Sequence, residues 1–263
     1  MKNDAIRRAN RKALPKFIAV AAVLLAAGFA LGFLASWYGL NTWTAALKNA
    51  AAFFGAYIAP WLTVALAVIL PIVCLFICRS AGKMLRAWDG EDEKTADAIE
   101  RKLSTATWLT GACLILACFL MAAAYSGGFA IFESSERTAL YFVSIAAFLV
   151  LVIEMLIIGQ KCVDMTKRLN PEKTASFYDM KFQKKWIEDC DEAEKLRIGR
   201  CAFKAYAATN RVCATLAVAL AVCALLFDTG FLPSLAVCLV WAVNLTVYCR
   251  EAIRYSKAGN SIS

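Results

Sequence analysis

The sequence lacks the residues and spacings on which most enzyme sites depend. Its 263 residues include no histidine, which is a common general base and a usual ligand of zinc and haem. Cysteine occurs 11 times but never as Cys-x-x-Cys, and the spacings of a P-loop, a Gly-x-Ser-x-Gly turn and a Gly-x-Gly-x-x-Gly turn are also missing. We therefore expect no catalytic residues, no metal site and no cofactor, and we do not expect an enzyme.

The chain is instead dominated by long apolar runs without charge. Hydrophobic residues make up 61% of it, and the mean hydropathy is +0.59. Runs longer than about 18 uncharged residues are typical of membrane-spanning helices. We predict an all-α, polytopic integral membrane protein with six transmembrane helices, centred on Phe17–Trp37, Tyr57–Cys78, Thr105–Tyr125, Ala139–Ile158, Asn210–Phe227 and Leu232–Cys249.

Positive charge is confined almost entirely to one side of this predicted layout. Of the 29 Lys and Arg residues, only Lys48 and Arg137 fall in segments that would lie on the other side. Because cytoplasmic segments of membrane proteins carry an excess of Lys and Arg, we predict a multi-pass protein of the cell membrane with both termini in the cytoplasm. Basic residues beside apolar spans account for the net charge of +9, so we expect membrane lipids as partners and no direct binding of nucleic acid.

The predicted spans divide the chain into transmembrane hairpins and cytoplasmic segments. Between the first two spans, Asn41 to Phe54 can form a short helix on the outer face. The first cytoplasmic loop is expected to break at Asp89-Gly90 and then to continue as an amphipathic helix. In chain order we predict a basic N-terminus (1–16), a first hairpin (17–78), an amphipathic cytoplasmic loop (79–104), a second hairpin (105–160), a cytoplasmic loop with sorted charges (161–208), a third hairpin (209–249) and a cytoplasmic tail (250–263).

The loop 161–208 is the only long polar stretch, and its charges are sorted along the chain. Its first part is net basic, Trp186–Glu194 holds five acids and no base, and the residues that follow are basic again. Asn170-Pro171 is expected to end the preceding helix, since a residue before proline disfavours the α conformation. Asp191 and Glu194 have the spacing of a capping box, which predicts a new helix running into the next apolar segment.

The acidic block is the most specific feature of that loop. Anionic headgroups attract the basic flanks but repel the acids, so the block would project into the cytoplasm with a tryptophan as aromatic anchor. One interpretation is a docking site for a basic cytosolic protein; the other is a solvated loop with an amphipathic helix at the headgroups. The candidate partner-binding residues are Trp186, Glu188, Asp189, Asp191, Glu192 and Glu194.

Three motifs of this loop carry a resemblance to a known family. They are Asn170-Pro171-Glu172-Lys173, the stretch Tyr178–Trp186 and the stretch Cys190–Leu196. Together they resemble the central motif of an uncharacterised family of Gram-positive integral membrane proteins, domain of unknown function 3169. The basic N-terminus and the paired apolar segments also fit, so the resemblance covers nearly the whole chain. It implies a fold and a location but no activity.

A few polar or small residues inside the predicted spans are candidates for function or packing. Glu154 is an ionisable residue within the fourth span, and a charge at such a position is a functional candidate by default. Alternatively, Glu154 is paired with Asn244 or Arg211, or is hydrated at the inner headgroups. Gly28 and Gly32 form a Gly-x-x-x-Gly motif in the first span, which suits close helix packing within the bundle or dimerisation. The oligomeric state stays open.

Two classes of function remain after these exclusions. The first is a membrane-anchored regulatory or scaffolding protein that presents the loop 161–208 to a cytosolic partner. The second is a small transporter or permease component that uses Glu154 and Asn244. An intramembrane enzyme is disfavoured, because paired acids and an activated nucleophile are missing.

Overall fold

A computed structural model of the chain describes residues 41–227 and 229–260, together with scattered positions between 15 and 30. Within these two ranges, every regular element is a helix. The elements are α1 (Asn41–Phe53), a π-helical turn (Phe54–Ile58), α2 (Ala59–Ala87), α3 (Glu93–Ala124), a 3₁₀ segment (Tyr125–Glu133), α4 (Ser135–Leu169), α5 (Phe182–Glu188), α6 (Glu192–Phe227) and α7 (Leu232–Asn260).

Five stretches of the described helices are long and apolar enough to cross a membrane, as expected of a multi-pass membrane protein. They correspond to the last five predicted spans. Most of the first predicted span, Phe17–Trp37, including Gly28 and Gly32, lies outside the described residues, so six spans and the position of the termini stay predictions. The five stretches are Ala45–Ala87, Glu93–Ala124, Ser135–Leu169, Glu192–Ala224 and Leu232–Glu251.

The chain divides into two compact units, one of which consists of residues 46–196. In this unit α2, α3 and α4 pack together as a three-helix bundle. Many of its most buried residues are small, including Ala59, Ala81, Ala106 and Ala117. Small side chains let helix backbones approach closely, which is the usual basis of helix packing in membranes. The larger residues of the two core clusters fill the remaining space: Leu70, Ile99, Leu103, Leu151, Met165 and Leu169.

The helix predicted on the outer face exists as α1, but it does not end before the next span. It continues through the π-helical turn, where the backbone N–H of Ala59 donates to the carbonyl of Phe54. Pro60 explains the turn, because proline has no N–H to donate and its ring excludes a regular helical carbonyl four residues earlier. Gly55 in the turn lies so close to α3 that a β-carbon there would be 2.2 Å from the carbonyl oxygen of Ala123.

Two helices extend beyond the predicted ends of their spans. Helix α2 continues past Cys78 to Ala87, so the amphipathic loop 79–104 is helical except at residues 88–92. The predicted break at Asp89-Gly90 is confirmed, and Gly90 has a φ of 93°. Helix α4 continues past Ile158 to Leu169, where Asn170-Pro171 ends it as predicted. The polar ends of both helices are stabilised by a core cluster that they share with α3, which includes Ala81, Ile99 and Met165.

The other unit includes α6 from Arg197 onwards and α7. Here the rings of Tyr206 and Tyr248 are stacked with their centroids 4.2 Å apart. One turn further along α6, the amide of Asn244 donates to the side-chain oxygen of Asn210 at 3.2 Å. Each contact pairs a residue of α6 with a residue of α7, so the two helices pack against each other within this unit.

Candidate functional site

The polar chain between α4 and α6 is folded rather than extended. We call residues 170–194 the folded loop. Its backbone is held by α4, where the side-chain oxygen of Gln160 accepts hydrogen bonds from the backbone N–H of Phe177 at 3.0 Å and the hydroxyl of Ser176 at 3.2 Å. The amine of Lys167 donates to the carbonyl of Thr174 at 3.1 Å. These bonds satisfy backbone groups of a segment that has few regular helical bonds of its own.

Lys173 is the buried centre of the folded loop. Its side chain is only 2% exposed, and its Nζ lies 2.8 Å from Oε2 of Glu194. The same Nζ donates to the sulfur of Cys190 at 3.4 Å and lies 4.9 Å from the centroid of the Trp186 ring. Burial alone would lower the pKa of Lys173, but the hydrogen bonds and charges of Glu194 and Cys190 hold that pKa above its ordinary value. The ammonium group of Lys173, near the start of the folded loop, therefore contacts Trp186 in its second half and both Cys190 and Glu194 at its end.

A row of aromatic rings connects this centre to α4. Phe177 packs against Gly159, where a β-carbon would lie 2.6 Å from the ring. The Phe177 and Phe182 rings are 5.7 Å apart, and the Phe182 and Trp186 rings 5.4 Å apart, measured between centroids. Aromatic pairs at such distances contribute about 0.5–1.5 kcal/mol beyond the area they bury. Trp186 is thus part of the packing of the loop and not a free anchor.

The acidic block does not project as one unit, because three of its five acids form hydrogen bonds or an ion pair within the folded loop. Asp189 accepts hydrogen bonds from the N–H and the hydroxyl of Thr174 at 2.7 and 2.9 Å, which hold its pKa below the ordinary value. Glu194 pairs with Lys173. Asp191 caps α6 as predicted, since its Oδ1 accepts from the N–H of Glu194 at 2.6 Å.

The remaining two acids of the block are exposed to solvent. The side chains of Glu188 and Glu192 are 59% and 94% exposed. Their contacts are weak surface pairs, with Lys184 at 3.8 Å and Lys195 at 3.4 Å. Exposed apolar side chains occur on the same loop, at Tyr178, Met180 and Ile187. The sequence analysis missed these three residues, although an apolar residue in a polar tract was the available signal.

The polar residues of the predicted spans are placed in different surroundings. Glu154 in α4 has a buried Oε2 without a hydrogen-bond partner in the part of the chain that the structure describes. Asn244 pairs with Asn210, and Nε of Arg211 donates to the carbonyl of Ala207 at 3.3 Å. The bonds of Asn244 and Arg211 therefore lie within the unit of α6 and α7. Among the described residues, no group of three or more Cys, Asp or Glu side chains is placed to hold a metal ion.

Comparison with protein families gives one match that covers most of the chain. The family model described as "Protein of unknown function (DUF3169)" matches residues 16–252. The matched range includes the whole folded loop and all five candidate spans. Comparison with curated proteins and with solved structures gives no match.

Proposed function

We propose that this chain, which belongs to the family of proteins of unknown function DUF3169, is a membrane-anchored regulatory or scaffolding protein that presents its folded loop to a cytosolic partner. The observation that carries the proposal is the buried Lys173. Burying an ammonium group is costly unless it is paired, so a loop that does so is built to hold one shape. A linker that only connects two spans has no need of such a centre.

The charge distribution supports a cytoplasmic position for the loop and a basic protein as the partner. All Lys and Arg residues except Lys48 and Arg137 flank the spans on the side of the loop, as in cytoplasmic segments. Glu188 follows exposed Ile187 directly at the end of α5, and the exposed Glu192 begins α6 four residues later. Apolar contact bordered by negative charge suits a positively charged surface, and the charges would mainly set specificity and association rate.

The test separates the exposed acids from those that fold the loop. In native membranes, a photo-crosslinker at Met180 is compared in the parent chain, in Glu188→Gln/Glu192→Gln and in the matched control Glu91→Gln/Asp97→Asn. The control removes two exposed acids from the other cytoplasmic segment. We expect a crosslinked band that is lost in the first variant and kept in the control.

Equal crosslinking in both variants, or no crosslinked protein at all, contradicts docking through these acids. Asp189→Asn/Glu194→Gln serves as a third arm, since it disturbs the shape of the loop while leaving its exposed charges in place. Loss of the band in this arm as well would show that the fold of the loop presents the surface. Insertion of each variant is checked by its yield in the membrane fraction.

One observation favours the second candidate, a small transporter or permease component. The buried Oε2 of Glu154 has no hydrogen-bond partner among the described residues, which is a costly arrangement within a spanning helix and is typical of substrate or proton pathways. If Glu154 binds a transported proton or cation, Glu154→Gln abolishes flux of that ion in proteoliposomes while the thermal unfolding midpoint stays unchanged. Wild-type flux no greater than that of empty liposomes would remove this candidate. In that case Glu154 has only a structural role.

A further inference from the structure

A cavity of about 540 Å³ opens between the polar ends of α2 and α4. Its charged lining consists of five cations and one acid: Arg79, Lys83, Arg86, Lys161, Arg168 and Asp164. A volume of this size is within the range of small-molecule sites, about 300–1,000 Å³. The cavity belongs entirely to the three-helix unit and is separate from the folded loop's exposed acids.

The arrangement of the cations follows from helical spacing. Arg79, Lys83 and Arg86 are four and three residues apart on α2, so they share one face of the helix. Lys161 and Arg168 are two turns apart on α4, and both line the same cavity. Two helix faces that carry positive charge are therefore packed side by side.

Within the part of the chain that the structure describes, these charges have few acidic neighbours. Asp164 is the one acid in the lining, and it already accepts a hydrogen bond from the amide of Gln160 at 2.7 Å. None of the five cations forms an ion pair with the residues that the structure describes. Like charges gathered at one site repel each other, and a bound anion removes that repulsion.

The cavity has an apolar floor and lies where the apolar part of α2 ends. Arg79 directly follows Cys78, the last residue of a long uncharged run, so the cavity begins at the level of the membrane surface. Its floor includes Leu85, Met165 and the backbone of Gly82. Guanidinium and ammonium groups above an apolar floor match a phosphate group that is attached to a less polar body.

We infer that this cavity is a binding site for an anionic phosphate group, supplied either by a phospholipid headgroup or by a soluble phosphorylated compound. Arg79 and Arg168 are suited to bidentate contact with phosphate oxygens, and the two lysines supply further charge. Basic pockets between spanning helices at a membrane surface have the chemistry to hold such headgroups. The inference does not depend on the proposed docking role.

The test measures binding to the full chain purified in a neutral detergent. Thermal unfolding is followed during titration with phosphatidylglycerol, with phosphatidylcholine and with inorganic pyrophosphate. We expect phosphatidylglycerol to raise the unfolding midpoint and phosphatidylcholine to leave it unchanged. High salt should weaken the effect, because the charged rim of the cavity is exposed to solvent.

Two triple variants with the same loss of charge locate the site. Arg79→Gln/Lys83→Gln/Lys161→Gln should weaken the apparent affinity for phosphatidylglycerol by about tenfold or more, from about 1 kcal/mol per cation near a surface. Lys94→Gln/Arg101→Gln/Lys181→Gln should change it by less than about twofold, a difference of under about 0.5 kcal/mol. Gly82→Leu keeps every charge but fills the floor, so it should also weaken binding.

The outcomes decide both the site and the source of the phosphate. If pyrophosphate raises the midpoint as strongly as phosphatidylglycerol at equal concentration, the ligand is a soluble phosphorylated compound; if only the lipid does so, it is a headgroup. Equal losses in the two triple variants, or equal effects of the two lipids, overturn the inference. Size-exclusion elution of each variant shows that a loss of binding is not a loss of folding.

Discussion

The three-helix bundle and the folded loop are neighbours in one unit, yet they are held together by opposite means. The bundle packs its backbones closely through small residues such as Ala81 and Ala106, and Gly55 in the adjoining π-helical turn does the same. The loop is organised around one buried charge, Lys173, with carboxylate, thiol and ring partners. The bundle therefore depends on side-chain size, and the loop depends on charge.

This difference indicates which kind of substitution destabilises each region. A change of charge at an exposed position costs little, but removing one member of a buried pair leaves the other unsatisfied. An added methyl group is harmless where there is space and costly where a backbone lies against the glycine. Matched substitutions in the two regions can therefore test the comparison directly.

The largest effect is expected from Lys173→Met in the folded loop. The substitution keeps the length of the side chain but removes the ammonium group, which ends its ion pair with Glu194, its hydrogen bond to Cys190 and its contact with the Trp186 ring. We expect the loop to lose about 3 kcal/mol of stability, measured by hydrogen exchange of residues 170–194. Lys184→Met is the control: that lysine is 75% exposed and pairs at 3.8 Å, so a change below about 0.5 kcal/mol is expected. Equal effects would refute the central role of Lys173.

A smaller effect is expected from Gly55→Ala in the bundle. The new β-carbon would lie 2.2 Å from the carbonyl oxygen of Ala123, so the π-helical turn and α3 must move apart. We expect a loss of about 1–3 kcal/mol in thermal unfolding of the detergent-solubilised chain. Gly111→Ala on α3 is the matched control, since nothing lies within 4 Å of its added carbon and alanine favours a helix. If both variants behave alike, close packing at the π-helical turn is not what stabilises the bundle.

Gly159→Ala tests the border between the two regions with a milder expected effect. Its β-carbon would displace the ring of Phe177, which is a flexible side chain and not a backbone group. We expect about 1 kcal/mol of destabilisation, seen as faster proteolysis of the folded loop with unchanged unfolding of the bundle. The double variant Gly159→Ala/Phe177→Leu should recover part of the loss. No recovery would mean that this ring is not the obstacle.

The smallest effect on the stability of the folded loop is expected from lowering the pH. Hydrogen bonds from Thr174 depress the pKa of Asp189 in the folded loop, so they stabilise the loop fully above the ordinary aspartate pKa of about 4. That contribution is lost as the pH falls through the depressed value. The protection factors for hydrogen exchange at residues 174–189, taken relative to the intrinsic rate at each pH, should therefore fall in acid, and Asp189→Asn should flatten this dependence. A pH profile unaltered by the substitution would contradict the prediction.

The sequence was most informative where a local pattern decides the structure. Uncharged apolar runs predicted the spans, and Asn170-Pro171 and Asp191 marked a helix end and a helix start that the structure confirms. It was less informative about where α2 and α4 end. Their polar last turns are stabilised by tertiary packing of residues such as Ile99 and Met165, which composition does not show.

The candidate site was predicted only in part, because its contacts join residues far apart in the chain. Lys173 lies in a basic tract and gives no sign of burial, since its partner Glu194 is 21 residues away. Treating the acids as one block also concealed the difference between Asp189, which is bonded to the backbone, and Glu192, which is exposed and forms only a surface pair with Lys195. The π-helical turn was not predicted for the same reason. Pro60 can be read from the sequence, but the close approach of Ala123 to Gly55 cannot.

The length of α6 determines how much of this helix can lie within the hydrocarbon core of a membrane. Its 36 residues make a rod of about 54 Å, whereas the hydrocarbon core of a bilayer is about 30 Å thick. About 24 Å of α6 therefore lies outside the hydrocarbon core when the helix is upright. Every charged residue of α6 lies between Glu192 and Arg211, so the part outside the core is the part whose first turn carries Glu194, the ion-pair partner of Lys173.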